Sequence, residues 1–470
     1  MKKRLLITIF LSLVLIVISM SVSASVDNIK EAKKLLEREE ISSRIDGVRK
    51  LKQFGKESIP LLLDVLTEDS EERVRKWAVK MIVEIGELEK DQINVLLNVV
   101  NNDKSDRVVE EVVKSFGKLN IENEKVVSKL SELLLDENKD IRSAAMNSLG
   151  QIGSAASEAL PMLATRLGDS EFIIRMNAKS IINKIDSDSD YEILIKKALQ
   201  NSEKKVRIAA LSALMKIDWE IDKLFPTLKE LWLNEENQIK NLVSSVFIEK
   251  GKMIYKKLAD NFKEKQSTLY TALNNENEKV QELAVLVLGE MGGDIKNRGL
   301  RELQELLSDD KARVKASAVK AIGQIGKLPR ESDLPKLVFM LNDSHPNVQK
   351  EAEETLKKLY PEKDPSLIVG QVLEKYQNKE EVKQILKGLL NVSFEIEGIT
   401  PLLINIWEKN SELGDLISRV FVKIGESSVE TLATKIKEYN NSYLFCFDII
   451  KTIKKIGDQS NTVKEKLIDI

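Results

Sequence analysis

The sequence predicts an all-α protein in which helical hairpins repeat along the chain and stack as an α-solenoid. Charged residues make up 31% of the 470 residues, aromatic residues make up 5%, and there are nine prolines. Such a composition suits long, solvent-exposed helices. The stretch DENKDIRSAAMNSLGQIG at 136–153 recurs in varied form as DDKARVKASAVKAIGQIG at 309–326. Self-similarity at a fixed period, with apolar residues at helical spacing, indicates a stacked repeat.

The N-terminus has the layout of a Sec-type signal peptide. The basic residues MKKR precede an apolar run at 5–18, and small residues follow up to Ala24. This pattern predicts a signal peptide over 1–24, cleavage near Ala24, and export to the periplasm or the extracellular space. The alternative is an uncleaved anchor, because residues 5–24 approach the ~20 apolar residues that a membrane helix needs. The protein would then be held at the membrane, facing away from the cytoplasm.

The remainder of the chain is predicted to form one array. Residues 25–56 are charged and helical in pattern, and they are expected to be N-terminal capping helices, because terminal repeats need a polar outer face. The repeats then occupy residues 57–470. Residues 251–265 interrupt the period and are expected to hold an insertion. Residues 361–366, which contain two prolines, are a candidate hinge.

Each repeat divides into two helices joined by a polar turn. The apolar residues of one unit follow i, i+4 spacing in both halves, as in Val348, Ala352 and Leu356, which places them on one helix face. Proline can open a first helix at little cost, because its missing N–H would be unpaired there. Glycine can end a second helix in the left-handed conformation. A single hairpin cannot bury its apolar face alone, so the hairpins are expected to stack.

A short polar residue precedes a long polar residue by six positions in many repeats. The first can cap the second helix from the turn, and the second can reach the turn of an adjacent repeat, so that the pairs would form a structural ladder. The pairs are Asp69/Arg75, Asp136/Arg142, Asp169/Arg175, Asn201/Arg207, Asn234/Lys240, Asn275/Gln281, Asp309/Lys315 and Asp343/Gln349.

These motifs resemble the HEAT-repeat family, including its bacterial HEAT-like form. The matching pattern is a proline, spaced leucines, an Asp in the turn, Val-Arg, spaced alanines, and a closing Leu-Gly-x-Ile-Gly. The resemblance implies a right-handed α-solenoid of about twelve HEAT-like hairpins. It also implies that the first helices line the convex side, that the second helices line the concave side, and that the Asp–Arg ladder joins the repeats. Family membership alone says little about activity.

Candidate catalytic and metal-binding residues are scarce. The chain has one cysteine, Cys446, and one histidine, His345, which argues against the usual zinc ligand sets and Cys/His or Ser/His nucleophiles. Lys+Arg 73 against Asp+Glu 75 gives a formal charge of −2, so no overall basic excess favours nucleic acid. We expect no catalytic residues, no metal and no cofactor.

The remaining candidate site is the concave face. It is expected to bind a partner through the positions one and five residues after each ladder residue. Three of these positions, Met176, Ile208 and Leu286, are expected to be exposed apolar residues. The candidate residues are Met176, Ser180, Ile208, Ser212, Asn241, Ser245, Glu282 and Leu286.

The sequence therefore favours an exported, non-enzymatic scaffold that binds a protein or peptide. Two alternatives stay open. One is a HEAT-like enzyme or enzyme accessory that resembles the lyases attaching bilin chromophores. The other is a nucleic-acid-binding protein that resembles the HEAT-like DNA glycosylases, which need a cationic groove. The partner, the pathway and the oligomeric state are not specified by any motif.

Overall fold

A computed structural model of the protein describes residues 29–459, apart from 218, 220, 329, 377 and 439–442. The predicted leader at 1–24 lies outside the described residues. Within them the secondary structure consists of α-helices, short 3-10 helices and turns, with no strand. The all-α solenoid predicted from the sequence is confirmed.

The chain forms two compact units, Met1–Glu235 and Glu236–Ile470. In the first unit the first twelve helices pair as first and second helices of successive hairpins, and the thirteenth is a further first helix. Its helices are α1 (29–36), α2 (Ile41–Leu51), α3 (Ile59–Glu68), α4 (Glu72–Ile85), α5 (Lys90–Asn102), α6 (Asp106–Lys118), α7 (Glu124–Leu133), α8 (Lys139–Ile152), α9 (Leu160–Thr165), α10 (Phe172–Ile185), α11 (Tyr191–Leu199), α12 (Lys204–Lys216) and α13 (Phe225–Asn234).

The second unit repeats the same alternation with one additional helix. Its helices are α14 (Asn237–Lys250), α15 (Lys252–Phe262), α16 (Gln266–Leu273), α17 (Glu278–Glu290), α18 (Asn297–Glu305), α19 (Ala312–Ile325), α20 (Leu334–Phe339), α21 (Pro346–Leu359), α22 (Pro365–Lys375), α23 (Lys379–Asn391), α24 (Thr400–Lys409), α25 (Gly414–Ile424), α26 (Val429–Glu438) and α27 (Tyr443–Gly457).

Prolines and glycines mark the helix boundaries as the sequence predicts. Proline occupies the first turn of six first helices, where no hydrogen bond is lost. These residues are Pro60, Pro161, Pro226, Pro335, Pro365 and Pro401. Gly86 follows α4 with φ of 78° and ψ of −173°, and Gly153 follows α8 with φ of 72° and ψ of −140°, so both have positive φ but lie outside the left-handed helical conformation that was expected. A residue with a side chain is strained in that region, so glycine stops these helices at a fixed point.

The apolar faces of both helices in a hairpin are buried between neighbouring hairpins. In α8, Ala145 and Leu149 are fully buried and Ile141 is almost so. The face of α8 packs against α6 on one side and α10 on the other. Each hairpin therefore buries its apolar residues only because it has a neighbour, which is the expected behaviour of a stacked repeat.

The insertion predicted near 251–265 is a helix. Helix α15 begins one residue after Gly251, which ends α14, and it packs along α17, a second helix of the next hairpin. The candidate hinge at 361–366 is the turn between α21 and α22. There Asp364 caps α22 by accepting a 2.8 Å hydrogen bond from the N–H of Ser366.

Candidate partner-binding surface

The ladder arginines fix the orientation of the second helices. Arg75 donates from Nη1 to the carbonyl oxygens of Asp69 (2.9 Å) and Ser70 (3.1 Å) in its own turn. Its Nε and Nη2 donate to the two carboxylate oxygens of Asp103 in the next turn, both at 2.8 Å. One guanidinium group thus closes its own turn and binds the adjacent one through a bidentate, charge-assisted pair.

Two ladder positions were missed by the sequence analysis. Arg44 of α2 binds Asp69 at 2.9 and 3.1 Å, so the α1–α2 pair joins the ladder in the same way as later hairpins. Asp103 precedes Val109 by six residues, and it accepts Arg75 although its own repeat lacks a ladder arginine. The six-residue spacing alone could have identified Asp103, because this residue lies six positions before the ladder position even though that position holds Val109.

Asp169 is bound by two buried arginines. Arg142 donates to it from Nε and Nη2, both at 3.1 Å, and Arg166 donates from Nη1 at 3.0 Å. The N–H of Glu171 adds a hydrogen bond of 2.9 Å. Burial by itself would raise the pKa of Asp169, but these hydrogen bonds and the two positive charges hold that pKa below its usual range.

The ladder departs from the prediction at several of the predicted pairs. Asp136 and Asp309 each receive a backbone N–H, from Asn138 and Lys311, but among the described residues no side chain of the preceding hairpin pairs with them. The reason is that Val109 and Gln281 occupy the preceding ladder positions, and Gln281 donates to the carbonyl of Leu273 instead.

The prediction that Arg175 reaches the adjacent turn is also wrong. Its Nη1 closes its own turn, but the adjacent turn carries Asn201, which has no carboxylate to offer. Of the later predicted pairs, two bind forward to a carboxylate, whereas Lys240 and Gln349 bind no group of the next turn among the described residues. Arg207 closes the turn of Asn201 and binds Glu235 at 3.1 Å, and Lys315 binds Asp343 at 2.8 Å.

Six of the eight predicted partner-binding residues are at least partly accessible. Met176 and Ser180 of α10 are exposed, and Ile208 and Ser212 of α12 are half-buried. Asn241 and Ser245 of α14 are also half-buried. The hydroxyl of Ser212 donates to the carbonyl of Ile208, and that of Ser245 to the carbonyl of Asn241, so both serines are engaged within their own helices.

The other two residues, Glu282 and Leu286, are buried, which corrects the prediction that they are exposed. Leu286 is 9% exposed and Glu282 is 8% exposed. The cause is the inserted helix α15, which packs along α17. Tyr255 of α15 comes close enough that burial, with the charges of Glu282 and Glu290, raises its pKa to about 12.

The sequence analysis missed two residues that adjoin Met176. Phe172 and Ile173, in the first turn of α10, are 64% and 68% exposed, and Met176 is 61% exposed. These three residues are here called the α10 patch. Phe172 and Ile173 lie three and two positions before the ladder residue Arg175, and Met176 lies one position after it. The same positions hold Glu72, Arg73 and Lys76 in α4, Asp106, Arg107 and Glu110 in α6, Lys139, Asp140 and Ser143 in α8, and Lys204, Lys205 and Ile208 in α12.

The hairpin that follows the α10 patch packs differently from the others in the first unit. Elsewhere in the first unit, α4, α6, α8 and α10 each pack along the preceding second helix. In the part of the unit that is described, α12 packs instead on α9 and on the 3-10 turn Arg166–Gly168. A Cβ added at Gly168 would lie 2.3 Å from the Cα of Ala213 in α12, so the two backbones are in direct contact.

Comparison with protein families identifies the repeat. A family model described as HEAT repeats matches residues 29–117, 93–183 and 266–367, which together cover more than half of the chain. The chain belongs to the HEAT-repeat family. The resemblance seen in the sequence is therefore confirmed. No curated protein sequence matches this HEAT-repeat chain.

Solved structures similar to this HEAT-repeat protein are distant ones. Yeast importin-beta (Kap95p) is 13% identical over 94% of this chain and 70% of its own, with a TM-score of 0.31. A chain from a structural study of cadherin and beta-catenin is 12% identical over 91% of this chain and 99% of its own, with a TM-score of 0.39. An importin beta crystal structure is 11% identical over 92% and 69%, with a TM-score of 0.33.

A second apolar face lies on α27, the last described helix of the HEAT array. Tyr443, Leu444 and Phe447 occupy the same three positions around Cys446 as the α10 patch does around Arg175, and all three are exposed. Ile450, one turn further along the helix, is also exposed. Two second helices of this protein thus carry large apolar residues at three positions that are mainly charged in the other helices compared above.

The described residues contain neither a candidate metal site nor a candidate membrane span. Among the described residues, no group of three or more His, Cys, Asp or Glu side chains is placed to hold a metal ion. No helix in the described ranges is both long enough and apolar enough to span a bilayer.

Proposed function

We propose that this HEAT-repeat protein is a non-enzymatic scaffold that binds a protein or peptide partner through the α10 patch. The observation that carries the proposal is the substitution of large apolar side chains for charges at three exposed positions of a single helix. Phe172, Ile173 and Met176 are each more than 60% exposed, although the corresponding positions of neighbouring hairpins are mainly charged.

Exposed apolar groups of this size favour association. Complete burial of one Phe, Ile or Met side chain contributes roughly 1.5–3 kcal/mol relative to its exposed state. Scattered apolar surface residues are common, but a contiguous patch typically marks an interaction site. The patch lies on a helix whose opposite face is held by the core residues Ile174, Ala178 and Ile182, so the surface is presented on a rigid element.

The proposal also places the protein outside the cytoplasm. The signal-peptide pattern at 1–24 supports export, and cleavage near Ala24 would release the chain. N-terminal sequencing of the protein recovered from its native cells tests this part. A mature chain that begins near Ser25 supports release, whereas an intact Met1 supports the anchored alternative.

A crosslinking experiment tests the binding surface. The full chain would carry a photoreactive residue in place of Met176, or in place of Lys76 as a control at the same position of α4. Crosslinking in native cells is expected to trap a partner at position 176 and not at position 76. Mass spectrometry then identifies the trapped protein, which is purified for affinity measurements.

The substitution Met176→Glu supplies the quantitative test. A charge in the centre of the α10 patch is expected to weaken binding of the purified partner at least ~10-fold, the effect of losing one interface hot spot. The control Lys76→Glu is expected to leave the affinity unchanged. Equal crosslinking at both positions, or unchanged affinity after Met176→Glu, would contradict the α10 patch as the binding surface.

A further inference from the structure

The guanidinium group of Arg175 forms hydrogen bonds within its own turn but, among the described residues, none with the next turn. In the described part of the chain, Arg44, Arg75, Arg142 and Arg207 are the other arginines that bind the next turn, and each reaches a carboxylate there. Arg175 makes only the hydrogen bonds to the carbonyl oxygens of its own turn. Its Nη1 donates to the carbonyl oxygens of Asp169 at 2.7 Å and Ser170 at 2.8 Å.

Asn201 occupies the repeat position in the adjacent turn at which Asp103 and Asp169 bind the preceding ladder arginine. Its Oδ1 accepts the N–H of Glu203 at 2.8 Å, the same turn hydrogen bond that the ladder aspartates make. The other terminal atom of Asn201 is an NH₂ group, which cannot accept a hydrogen bond from Arg175. Within the described residues, no carboxylate lies within 4.0 Å of the Arg175 guanidinium.

The surroundings of Arg175 carry an excess of positive charge. Arg142 and Arg166 share the carboxylate of Asp169, and Arg175 binds the carbonyl of that same residue. Two guanidinium groups therefore share one carboxylate, and the third, that of Arg175, lies against the backbone of the same residue. An incoming carboxylate would reduce this imbalance, and a neutral group would not.

The unfilled side of Arg175 adjoins the α10 patch. The Phe172 ring centroid lies 5.5 Å from the Cζ atom of Arg175, and Met176 is the next residue along the helix. Arg175 itself is partly accessible to solvent. A cationic group with planar, forked donors thus stands directly beside three exposed apolar side chains.

We propose that Arg175 and the α10 patch together bind an acidic–apolar segment of a partner protein. An Asp or Glu of that segment would pair with Nε and Nη2 of Arg175, and its apolar neighbours would cover Phe172, Ile173 and Met176. This inference rests on the proposed function and specifies the chemistry of the partner. A carboxylate is favoured because Arg44, Arg75 and Arg142 each bind one through Nε and Nη2. Arg207 also binds a carboxylate, through Nη2.

The substitution Asn201→Asp tests the inference by giving Arg175 a carboxylate partner within the protein, which would compete with the acid of the bound segment. It places a carboxylate in the adjacent turn, where it is expected to pair with Arg175 as Asp103 pairs with Arg75. The variant should therefore fold at least as well as the natural chain, yet lose the acid-dependent part of binding. Asn275→Asp, which adds the same charge at the same repeat position in the second unit, is the matched control.

The probe is a phage-displayed library of random peptides selected on the full chain. Recovered peptides are expected to share an Asp or Glu next to large apolar residues. A synthetic copy of the best peptide should bind Asn201→Asp and Arg175→Gln ~10–100-fold more weakly than the natural chain, the range expected for loss of one charged hydrogen-bonded pair. Replacing the peptide acid by its amide should weaken binding equally, and Asn275→Asp should bind normally.

Several outcomes would overturn the inference. They are recovery of no peptide, peptides without an acid, undiminished binding to Asn201→Asp, stronger competition by inorganic phosphate than by acetate, or a dimer of this chain that Met176→Glu dissociates. Loss of binding in Met176→Glu alone would retain the proposed function and reject only the role of the carboxylate. Loss in neither variant would reject both.

Discussion

Arg142 binds Asp169 through two hydrogen bonds, both 3.1 Å long, across 27 residues of sequence. The side chains are only 9% and 2% exposed. Arg166 donates to the same carboxylate, so one buried negative charge offsets two nearly buried positive charges. The second helix of one hairpin is thereby joined to the turn of the next hairpin at a point where water cannot replace the partner.

Removal of the Asp169 charge is expected to destabilise the first unit strongly. Asp169→Asn preserves the side-chain oxygen that accepts the N–H of Glu171, but it leaves Arg142 and Arg166 without a counter-charge. Breaking a buried ion pair from one side typically costs ~3–5 kcal/mol. Urea denaturation followed by circular dichroism measures the loss, and hydrogen exchange should place it in α8–α10.

The matched control is an exposed ion pair in the same unit. Lys56 contacts Glu87 on the surface, where both side chains are well exposed. Glu87→Gln is therefore expected to leave the unfolding midpoint almost unchanged, as is usual for exposed pairs. Equal effects of Asp169→Asn and Glu87→Gln would show that burial of the Arg142–Asp169 pair does not determine its contribution.

The second unit is expected to lose stability in acid through Asp343. Burial by itself would raise the pKa of Asp343, but Lys315 at 2.8 Å and the N–H of His345 at 2.9 Å hold it below the ordinary value. A lowered pKa in the folded state stabilises the fold above the unfolded-state pKa of about 3.9. That contribution is lost as the pH falls below this value and through the folded-state pKa.

Asp343→Asn isolates this effect, because an amide does not titrate. The variant is expected to be less stable than the natural chain at pH 7. The difference between the two proteins should shrink as the pH is lowered from 4 towards 2. Urea midpoints at these pH values measure it. A difference that stays constant with pH would show that Asp343 does not contribute through its charge.

The repeat could be predicted from sequence because its signals are local. Pro60 and Gly86 mark where helices begin and end through their own backbone preferences, and helical spacing identifies the core side of α8. The burial of Leu286 could not be predicted in this way. The burial of Leu286 depends on where α15 packs in the folded chain, and the residues of α17 alone do not indicate that contact.

The candidate site was only partly predictable for a different reason. Met176 could be found from the positions one and five residues after each ladder residue, whereas Phe172 and Ile173 lie before the ladder residue, in the first helical turn. The absence of a carboxylate at Asn201 was also visible in the sequence. Its consequence for Arg175 became clear only when the other arginines were seen to bind forward into the next turn.

Close backbone contact at Gly168 is expected to control the position of α12. In Gly168→Ala, the new Cβ would lie 2.3 Å from the Cα and 2.9 Å from the backbone nitrogen of Ala213, and backbone atoms cannot move aside as a flexible side chain can. Overpacking of this kind costs ~1–3 kcal/mol. Gly293→Ala is the control, because no atom lies within 4 Å of its new Cβ. Similar denaturation midpoints for the two variants would contradict direct contact between α12 and the Arg166–Gly168 turn.

Substitutions at Leu286 and Met176 are expected to differ in their effect on stability, although the sequence predicted both residues to be exposed. Leu286 is buried beneath α15, so Leu286→Ala removes packed methyl groups and is expected to cost ~2–5 kcal/mol. Met176 is 61% exposed, so Met176→Ala is expected to change stability by less than ~0.5 kcal/mol. Thermal denaturation of the full chain measures both. If Leu286→Ala reduced stability as little as Met176→Ala, then α15 would not cover α17 in solution. Leu286 would then be accessible to a partner.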